Sequence, residues 1–145
     1  MQKAVAELAN KENLERFKAV IELEKYGPPA TDYLILALKD EDRWIRYLAT
    51  DALANIGATK SVDAIITLLN DPDQDVRFKA AAALGKIGDP KAIKDLQSVL
   101  KTDNGYVKIA AEEALEEFSK YKVSDSAILK KEVQSSGSLI AKGSG

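Results

Sequence analysis

Acidic side chains are the groups in this sequence most able to do chemistry, and they occur in three short runs. The runs are Asp40-Glu41-Asp42, the alternating acids of 71–75 and the glutamates of 112–117. Paired carboxylates can act as general acids and bases or hold a divalent cation. The run at 71–75 alternates acids as a calcium loop does, but it lacks the central glycine and distal glutamate of that motif. We therefore interpret the three runs as helix caps, turns and solvated surface.

Four basic residues recur at a nearly constant spacing. Arg46, Arg77 and Lys108 are 31 residues apart, and Arg16 precedes the first of them by 30. Such a column can bind an anion, but a spacing equal to a structural repeat favours a structural role. We predict a ladder in which each basic group bonds to carboxylates or carbonyls in the turn of a neighbouring repeat. The candidate turn carboxylates are those of Asp40, Asp42, Asp71 and Asp73.

Two residue types that dominate catalytic and metal sites are missing, because the 145 residues include no cysteine and no histidine. Disulfides, thiolate nucleophiles and thiolate metal ligands are therefore impossible. The imidazole that most often shuttles protons near neutral pH is also missing. We accordingly expect no catalytic residue, no metal site, no cofactor and no enzymatic activity.

Charge and hydropathy limit the partners of the protein. The 21 basic and 23 acidic side chains give a net charge of −2, which provides no broad basic surface for phosphate backbones. No apolar run reaches the roughly 20 residues that a membrane span needs. Charged residues interrupt the N-terminus too early for a signal peptide. We therefore expect a cytoplasmic protein that binds neither nucleic acid nor membranes.

An internal repeat defines the elements that must position these residues. A shift of 31 residues superposes Ala49 on Ala80 and Ala80 on Ala111, and a shift of 30 reveals a more divergent first copy in which Ala19 falls on Ala49. Self-similarity at such a period is typical of solenoids, whose units bury their apolar faces by stacking. The predicted domain covers 1–119, and its four repeats lie at about 1–27, 28–57, 58–88 and 89–119.

Each repeat has the pattern of a shorter helix A and a longer helix B. In the second repeat, an apolar stripe with helical spacing runs from Ile45 to Ile56. Glycines at 27, 57 and 88 fit the left-handed residue that ends a helix. Asp89-Pro90 has the pattern of an N-cap followed by a first-turn proline. The predicted A helices are 2–9, 30–39, 61–70 and 91–101, and the predicted B helices are 13–26, 43–56, 74–87 and 105–119.

Two segments carry a family resemblance. Residues 75–90, with the sequence Asp-Val-Arg-Phe-Lys-Ala-Ala-Ala-Ala-Leu-Gly-Lys-Ile-Gly-Asp-Pro, and their relative at 44–59 are similar to the short HEAT repeats of the bilin-lyase type. They also resemble artificial HEAT-like consensus repeats. The resemblance implies an all-α fold, a right-handed α-α superhelix of four two-helix repeats. Such solenoids serve mostly as scaffolds and binding surfaces.

The resemblance leaves three functions open: a binding scaffold, a bilin-related protein and a structural spacer. Deoxyhypusine hydroxylase has similar repeats but holds its iron with paired His-Glu motifs, which a chain without histidine lacks. Bilin lyases and related phycobilisome proteins share the repeat type, and no motif separates the chain from them. A structural spacer cut from a longer array is the third possibility. We favour a non-catalytic scaffold that binds a peptide or helix of a partner protein.

A column of bulky apolar residues on helix B is the leading candidate for the binding surface. A helical wheel places Tyr47 nearly opposite the apolar stripe, and the equivalent positions hold Phe17, Phe78 and Ile109. In HEAT-like arrays this side of helix B lines the concave surface. The alternative is that the column packs between adjacent B helices as additional core. The predicted partner-binding residues are Phe17, Trp44, Tyr47, Asp51, Phe78, Lys79, Tyr106, Ile109 and Glu113.

Residues 120–145 depart from the repeat and form a tail rich in serine and glycine. This composition predicts a short helix or disorder, and Gly143-Ser144-Gly145 resembles a leftover artificial linker. Ile128-Leu129 and Leu139-Ile140 are apolar pairs within the polar tail. Docking of either pair on the aromatic column would bind the tail to its own molecule or cause self-association.

Overall fold

The protein is an α-α solenoid in which a shorter and a longer helix alternate. The computed structural model describes residues 1–120, and this range contains helices and turns but no strand. The predictions for the tail concern residues outside this range, except for Lys120, which continues α8. The shorter helices are α1 (Gln2–Glu7), α3 (Thr31–Ala37), α5 (Val62–Thr67) and α7 (Ile93–Thr102). The longer helices are α2 (Asn13–Glu24), α4 (Arg43–Ile56), α6 (Gln74–Ile87) and α8 (105–120).

Three of the shorter helices are entered through 3-10 turns, which the sequence pattern did not separate from the helices themselves. The turns are Pro28–Ala30, Thr59–Ser61 and Pro90–Ala92, and a fourth, Leu68–Asn70, follows α5. Prolines suit the first and third turns because their fixed φ and missing N–H are tolerated at a helix start. The A helices are therefore shorter α-helices than predicted, whereas α4 and α6 match their predicted bounds.

Carboxylates of the first two acidic runs cap α4 and α6. Asp42 accepts hydrogen bonds from the backbone N–H groups of Trp44 at 2.7 Å and Ile45 at 3.3 Å. Asp73 accepts the equivalent bonds at the start of α6, at 2.9 and 3.2 Å. Asp89 caps the turn before α7 by accepting from the N–H of Lys91. These bonds satisfy N–H groups that have no partner inside the helix.

The glycines after the B helices do not share one conformation. Gly57 (φ 74°, ψ 35°) and Gly88 (φ 78°, ψ 21°) are left-handed, as predicted. Gly27 also has a positive φ of 66°, but its ψ is −141°, so the prediction of a left-handed cap is wrong there. The reason is Pro28, because a residue before proline is excluded from helical ψ values.

Small residues bring the B helices close together. Ala49, Ala52, Ala80 and Ala83 are buried along α4 and α6. Between α6 and α8 the approach is closer still, since a Cβ added to Gly85 would lie 2.7 Å from the Cβ of Ala114. The B helices pack directly on one another, whereas adjacent A helices meet mainly through the 3-10 turns. The B helices therefore form the more closely packed layer of the stack.

Candidate partner-binding surface

Exposed apolar side chains concentrate on the outward surface of α2, α4, α6 and α8, which we call the B face. Residues 1–120 contain eight exposed large hydrophobic side chains, and five of them lie on B helices. These five are Leu14, Ile21, Trp44, Tyr106 and Ile109. The other three are Met1, Tyr26 and Leu36, which do not form a comparable group along the stack. The B face is therefore the most apolar exposed surface of the described residues.

The column predicted to lie opposite the core is largely a seam between helices. Phe17, Tyr47 and Phe78 are half-buried and pack against the core, whereas Ile109 is 53% exposed. The helical wheel treats one helix in isolation, whereas α4 and α6 each have a B helix on both flanks and α2 has α4 beside it. The first three members thus pack as additional core, as the alternative interpretation predicted, whereas Ile109 remains exposed.

Two aromatic pairs stand on the B face, at the N-terminal ends of the B helices. Trp44 and Tyr47 meet edge to face, with their ring centroids 5.7 Å apart. Phe78 and Tyr106 join α6 to α8 at 5.3 Å. The guanidinium of Arg43 lies 5.3 Å from the centre of the Trp44 ring, a distance at which cation and ring attract each other. These contacts hold exposed rings in fixed positions.

Charged groups on the B face are bonded across the seams. The Lys79 ammonium is 3.0 Å from the Asp51 carboxylate and 4.9 Å from the centre of the Tyr47 ring. Burial lowers the pKa of Lys79, but the hydrogen bond and the charge of Asp51 outweigh it, so the pKa is raised. The Tyr106 hydroxyl donates to the Asp75 carboxylate, and this bond raises the pKa of Tyr106. Two of the predicted binding residues, Asp51 and Lys79, thus form a fixed ion pair.

A groove of about 500 Å³ lies between α6 and α8 on the same face. Glu113, the last of the predicted binding residues, stands exposed on its α8 side. Glu116 and Glu117 continue this acidic side along the helix. The four aromatic members of the two pairs, the ion pair of Lys79 with Asp51 and Glu113 at the groove thus account for seven of the nine predicted binding residues, and Phe17 and Ile109 belong to none of these groups.

The arginines of the predicted ladder connect consecutive turns. Arg16 donates to both carboxylate oxygens of Asp40, at 2.8 and 3.1 Å. Arg46 donates in the same way to Asp71, and Arg77 donates through Nε to Asp103 at 2.7 Å. The hydrogen bond and the charge of Asp40 raise the pKa of Arg16 against the opposing effect of burial. Each arginine therefore binds the carboxylate that follows the next A helix.

Every ladder arginine also bonds to carbonyls of the turn before its own helix. The Nη1 group of Arg46 donates to the carbonyls of Asp40 at 2.8 Å and Glu41 at 3.1 Å. The Nη1 groups of Arg16 and Arg77 make the equivalent pairs of bonds. A planar guanidinium with donors on both sides can serve two turns at once, as an ammonium cannot. This geometry ties each turn to the next.

The fourth predicted member and two predicted partners do not join the ladder. Lys108 is exposed and forms no ion pair within residues 1–120, where no turn follows α8. Asp42 and Asp73 cap helices instead of accepting from the ladder arginines. The Asp103 carboxylate accepts from Arg77 and is the third carboxylate of the ladder. The sequence reasoning missed it because the turn before α8 lacks the Asp-x-Asp pattern of the other two turns.

Three further hydrogen bonds between repeats were also missed. Asn13 donates to the Asp42 carboxylate at 3.0 Å. Asn55 donates to Glu24 at 2.7 Å and accepts from Lys86 at 2.6 Å. The available signal was the spacing, since the residues at 24, 55 and 86 are 31 apart. Polar residues that recur with the period of a solenoid are neighbours across its stack.

Electrostatics at the start of α4 favour the ionised form of Asp42. The hydrogen bond from Asn13 lowers the pKa of Asp42 more than burial raises it. The N–H groups of Trp44 and Ile45 and the charge of Arg16 lower it further.

Within residues 1–120, no group of three or more acidic side chains lies close enough to hold a metal ion. None of the helices in this range is long and apolar enough to cross a membrane.

Comparison with known proteins assigns the family. The profile of HEAT repeats matches residues 31–116, more than half of the chain. The chain therefore belongs to the HEAT-repeat family, as the resemblance of its repeats predicted. None of the curated proteins matches it by sequence.

Three solved structures share the solenoid. Human deoxyhypusine hydroxylase in complex with glycerol has a TM-score of 0.75 at 22% identity, over 86% of this chain and 45% of that one. An engineered protein has a TM-score of 0.65 at 22% identity, over 81% and 61%. The complex of CpcE and CpcF of phycocyanin lyase from Nostoc sp. gives 0.56 at 26% identity, over 89% and 68%. The chain thus spans less than half of the hydroxylase structure.

Proposed function

We propose that this protein is a non-catalytic scaffold whose B face binds a peptide or helix of a partner protein. The observation that carries the proposal is the concentration of five of the eight exposed large hydrophobic side chains of residues 1–120 on that face. Contiguous exposed apolar surface on a folded domain is typical of an interaction site. The family supports it as well, since helical repeats commonly act as scaffolds.

Trp44 and Tyr106 have the properties of interface anchors. Trp44 is 45% exposed and Tyr106 36%, so a partner would bury substantial aromatic surface on each. Complete burial of such a side chain contributes about 1.5–3 kcal/mol, and aromatic residues are enriched where binding energy concentrates. Both rings are held in place by an aromatic neighbour. Binding would therefore cost little side-chain entropy at these two rings, because they are already held in place.

Affinity capture from the native lysate tests the proposal with a matched control. The B-face variant is Trp44→Ser with Ile109→Ser, which removes two exposed apolar groups. The control is Leu36→Ser, because Leu36 is 66% exposed but lies on the A helix α3. We expect proteins captured by the wild type and the control to be lost by the B-face variant, with unchanged helical circular dichroism. Equal capture by all three proteins would show that the B face is not the binding surface.

A bilin-related role is the second candidate, and the likeness to the CpcE and CpcF complex of phycocyanin lyase favours it. The groove between α6 and α8, about 500 Å³ in volume, lies within the range of small-molecule sites. A pigment bound there would change its absorbance on mixing with the protein. If phycocyanobilin keeps its free spectrum in the presence of the full chain, this candidate is eliminated and the scaffold proposal is unaffected.

A further inference from the structure

The groove between α6 and α8 has an apolar floor of unusually small side chains. Gly85, Ala110 and Ala114 are buried there, and Phe78 and Ala82 are half-buried beside them. The close approach at Gly85 removes any side chain from the centre of the floor on the α6 side. A partner can therefore place a bulky apolar side chain against the backbone level of two helices, as in helix-in-groove recognition.

The α8 side of the groove carries negative charge that residues 1–120 neutralise only in part. Glu113, Glu116 and Glu117 are all exposed on it. Glu117 pairs with Lys120 at 3.1 Å, whereas Glu113 and Glu116 form no ion pair with any residue of 1–120. On the opposite side, the Lys86 ammonium donates to Asn55 of α4. Two carboxylates with no ion-pair partner among residues 1–120 thus border an apolar floor, across from the ammonium of Lys86.

We propose that this groove binds a basic amphipathic helix of a partner protein. The inference rests on the proposed function and specifies the chemistry of the partner. One apolar side chain of the partner helix lies on the floor beside Phe78, and lysines or arginines about one turn away face Glu113 and Glu116. Residues three apart lie on the same side of a helix, so these two glutamates match basic residues at the same spacing. An acidic helix is repelled by the same carboxylates.

Two synthetic peptides test the charge requirement on the full chain. They share identical leucine positions, and their polar faces consist of lysine in one and glutamate in the other. We expect the lysine peptide to bind and to shift the NMR amide signals of Gly85 and Ala114, and the glutamate peptide to do neither. Binding of both peptides alike, or shifts confined to the A helices, would overturn the proposal.

Matched charge variants separate the groove from general attraction. Glu113→Gln with Glu116→Gln removes two exposed charges, and we expect it to weaken lysine-peptide binding about tenfold. Asp63→Asn with Asp95→Asn removes two charges from exposed positions of A helices, and we expect unchanged affinity. Equal losses in both variants would mean that only net charge matters, and the groove would not be the site.

The outcomes distinguish this proposal from the one on which it rests. Trp44 and Ile109 do not line the groove, so capture that depends on them can succeed while the glutamate variant leaves peptide binding unchanged. In that case the B face binds a partner and the groove inference fails. If sedimentation of the chain alone shows dimers that the glutamate variant abolishes, a second copy occupies the groove and the proposal is wrong.

Discussion

The turns before the B helices and the B face belong to the same repeat, yet their side chains differ in how far they bond and pack within the protein. In the turns, Arg16, Arg46 and Arg77 each bond to two backbone carbonyls and to a carboxylate of the next turn. On the B face, Trp44 and Ile109 remain about half exposed. In the turns the polar groups form hydrogen bonds within the protein, whereas on the B face apolar side chains remain exposed to solvent. Periodicity alone therefore does not separate structural from binding residues, whereas bonding and exposure do.

Breaking the ladder should have the largest effect on stability. Arg46→Met leaves the buried Asp71 carboxylate with the N–H of Asp73 as its remaining donor within residues 1–120 and removes a donor from two turn carbonyls, so we expect the free energy of unfolding to fall by about 3 kcal/mol. Urea denaturation measures this change. Arg43→Met is the control, because Arg43 is exposed where it pairs with Asp73, and its loss should change stability by less than about 1 kcal/mol. Similar losses in both variants would show that the ladder is not a special stabilising feature.

Phe78 and Ile109 occupy equivalent positions of α6 and α8 but differ in burial, so they compare core with exposed surface directly. Phe78→Ala removes a half-buried ring that packs on the core, and we expect a loss of about 2 kcal/mol, less than for a fully buried phenylalanine. Ile109→Ala, at the equivalent position of α8, should change the free energy of unfolding by less than about 0.5 kcal/mol because Ile109 is exposed. Thermal and urea unfolding of both variants check this difference. A larger loss at Ile109 would place that residue in the core and weaken its assignment to the B face.

The smallest expected effect concerns the acid dependence of the cap at Asp42. Its pKa is lower in the folded protein than the ordinary value of 3.8, chiefly because Asn13 donates to it. The stabilisation is therefore complete well above pH 3.8 and is lost as the pH falls through the folded pKa. We expect Asn13→Ala to raise this pKa and to lower stability by about 1 kcal/mol at neutral pH, with the difference vanishing in acid.

An NMR titration of the Asp42 carboxyl carbon measures the shift directly. Asn55→Ala is the matched control, because Asn55 also links neighbouring repeats but makes no bond to Asp42. The pKa of Asp42 should be the same in this control as in the wild type. If Asn13→Ala leaves it unchanged as well, the depression arises from the backbone N–H groups and from Arg16 alone.

The sequence predicted well those features that depend on local spacing. The bounds of α4 and α6 follow from an apolar stripe between an aspartate cap and a terminal glycine, and the repeat aligns the arginines of successive turns. The burial of Tyr47 and Phe78 could not be predicted from one helix, because neighbours on both flanks determine it. The conformation of Gly27 depends on the following proline, and the bond from Arg77 to Asp103 depends on an altered turn. The burial of the two rings and the bond to Asp103 depend on neighbouring repeats, whereas Gly27-Pro28 is a local signal from which the conformation of Gly27 could have been predicted.

The ladder also has a mechanical consequence. Its bonds lie where the B helices begin, so they fix the distance between successive helices at that end. At the other end, near Gly57 and Gly88, the helices are linked through exposed groups such as Asn55 and Lys86. We therefore expect α4 and α6 to pivot about the ladder, with their C-terminal ends spreading or closing, whereas α6 and α8 stay in contact where Gly85 meets Ala114.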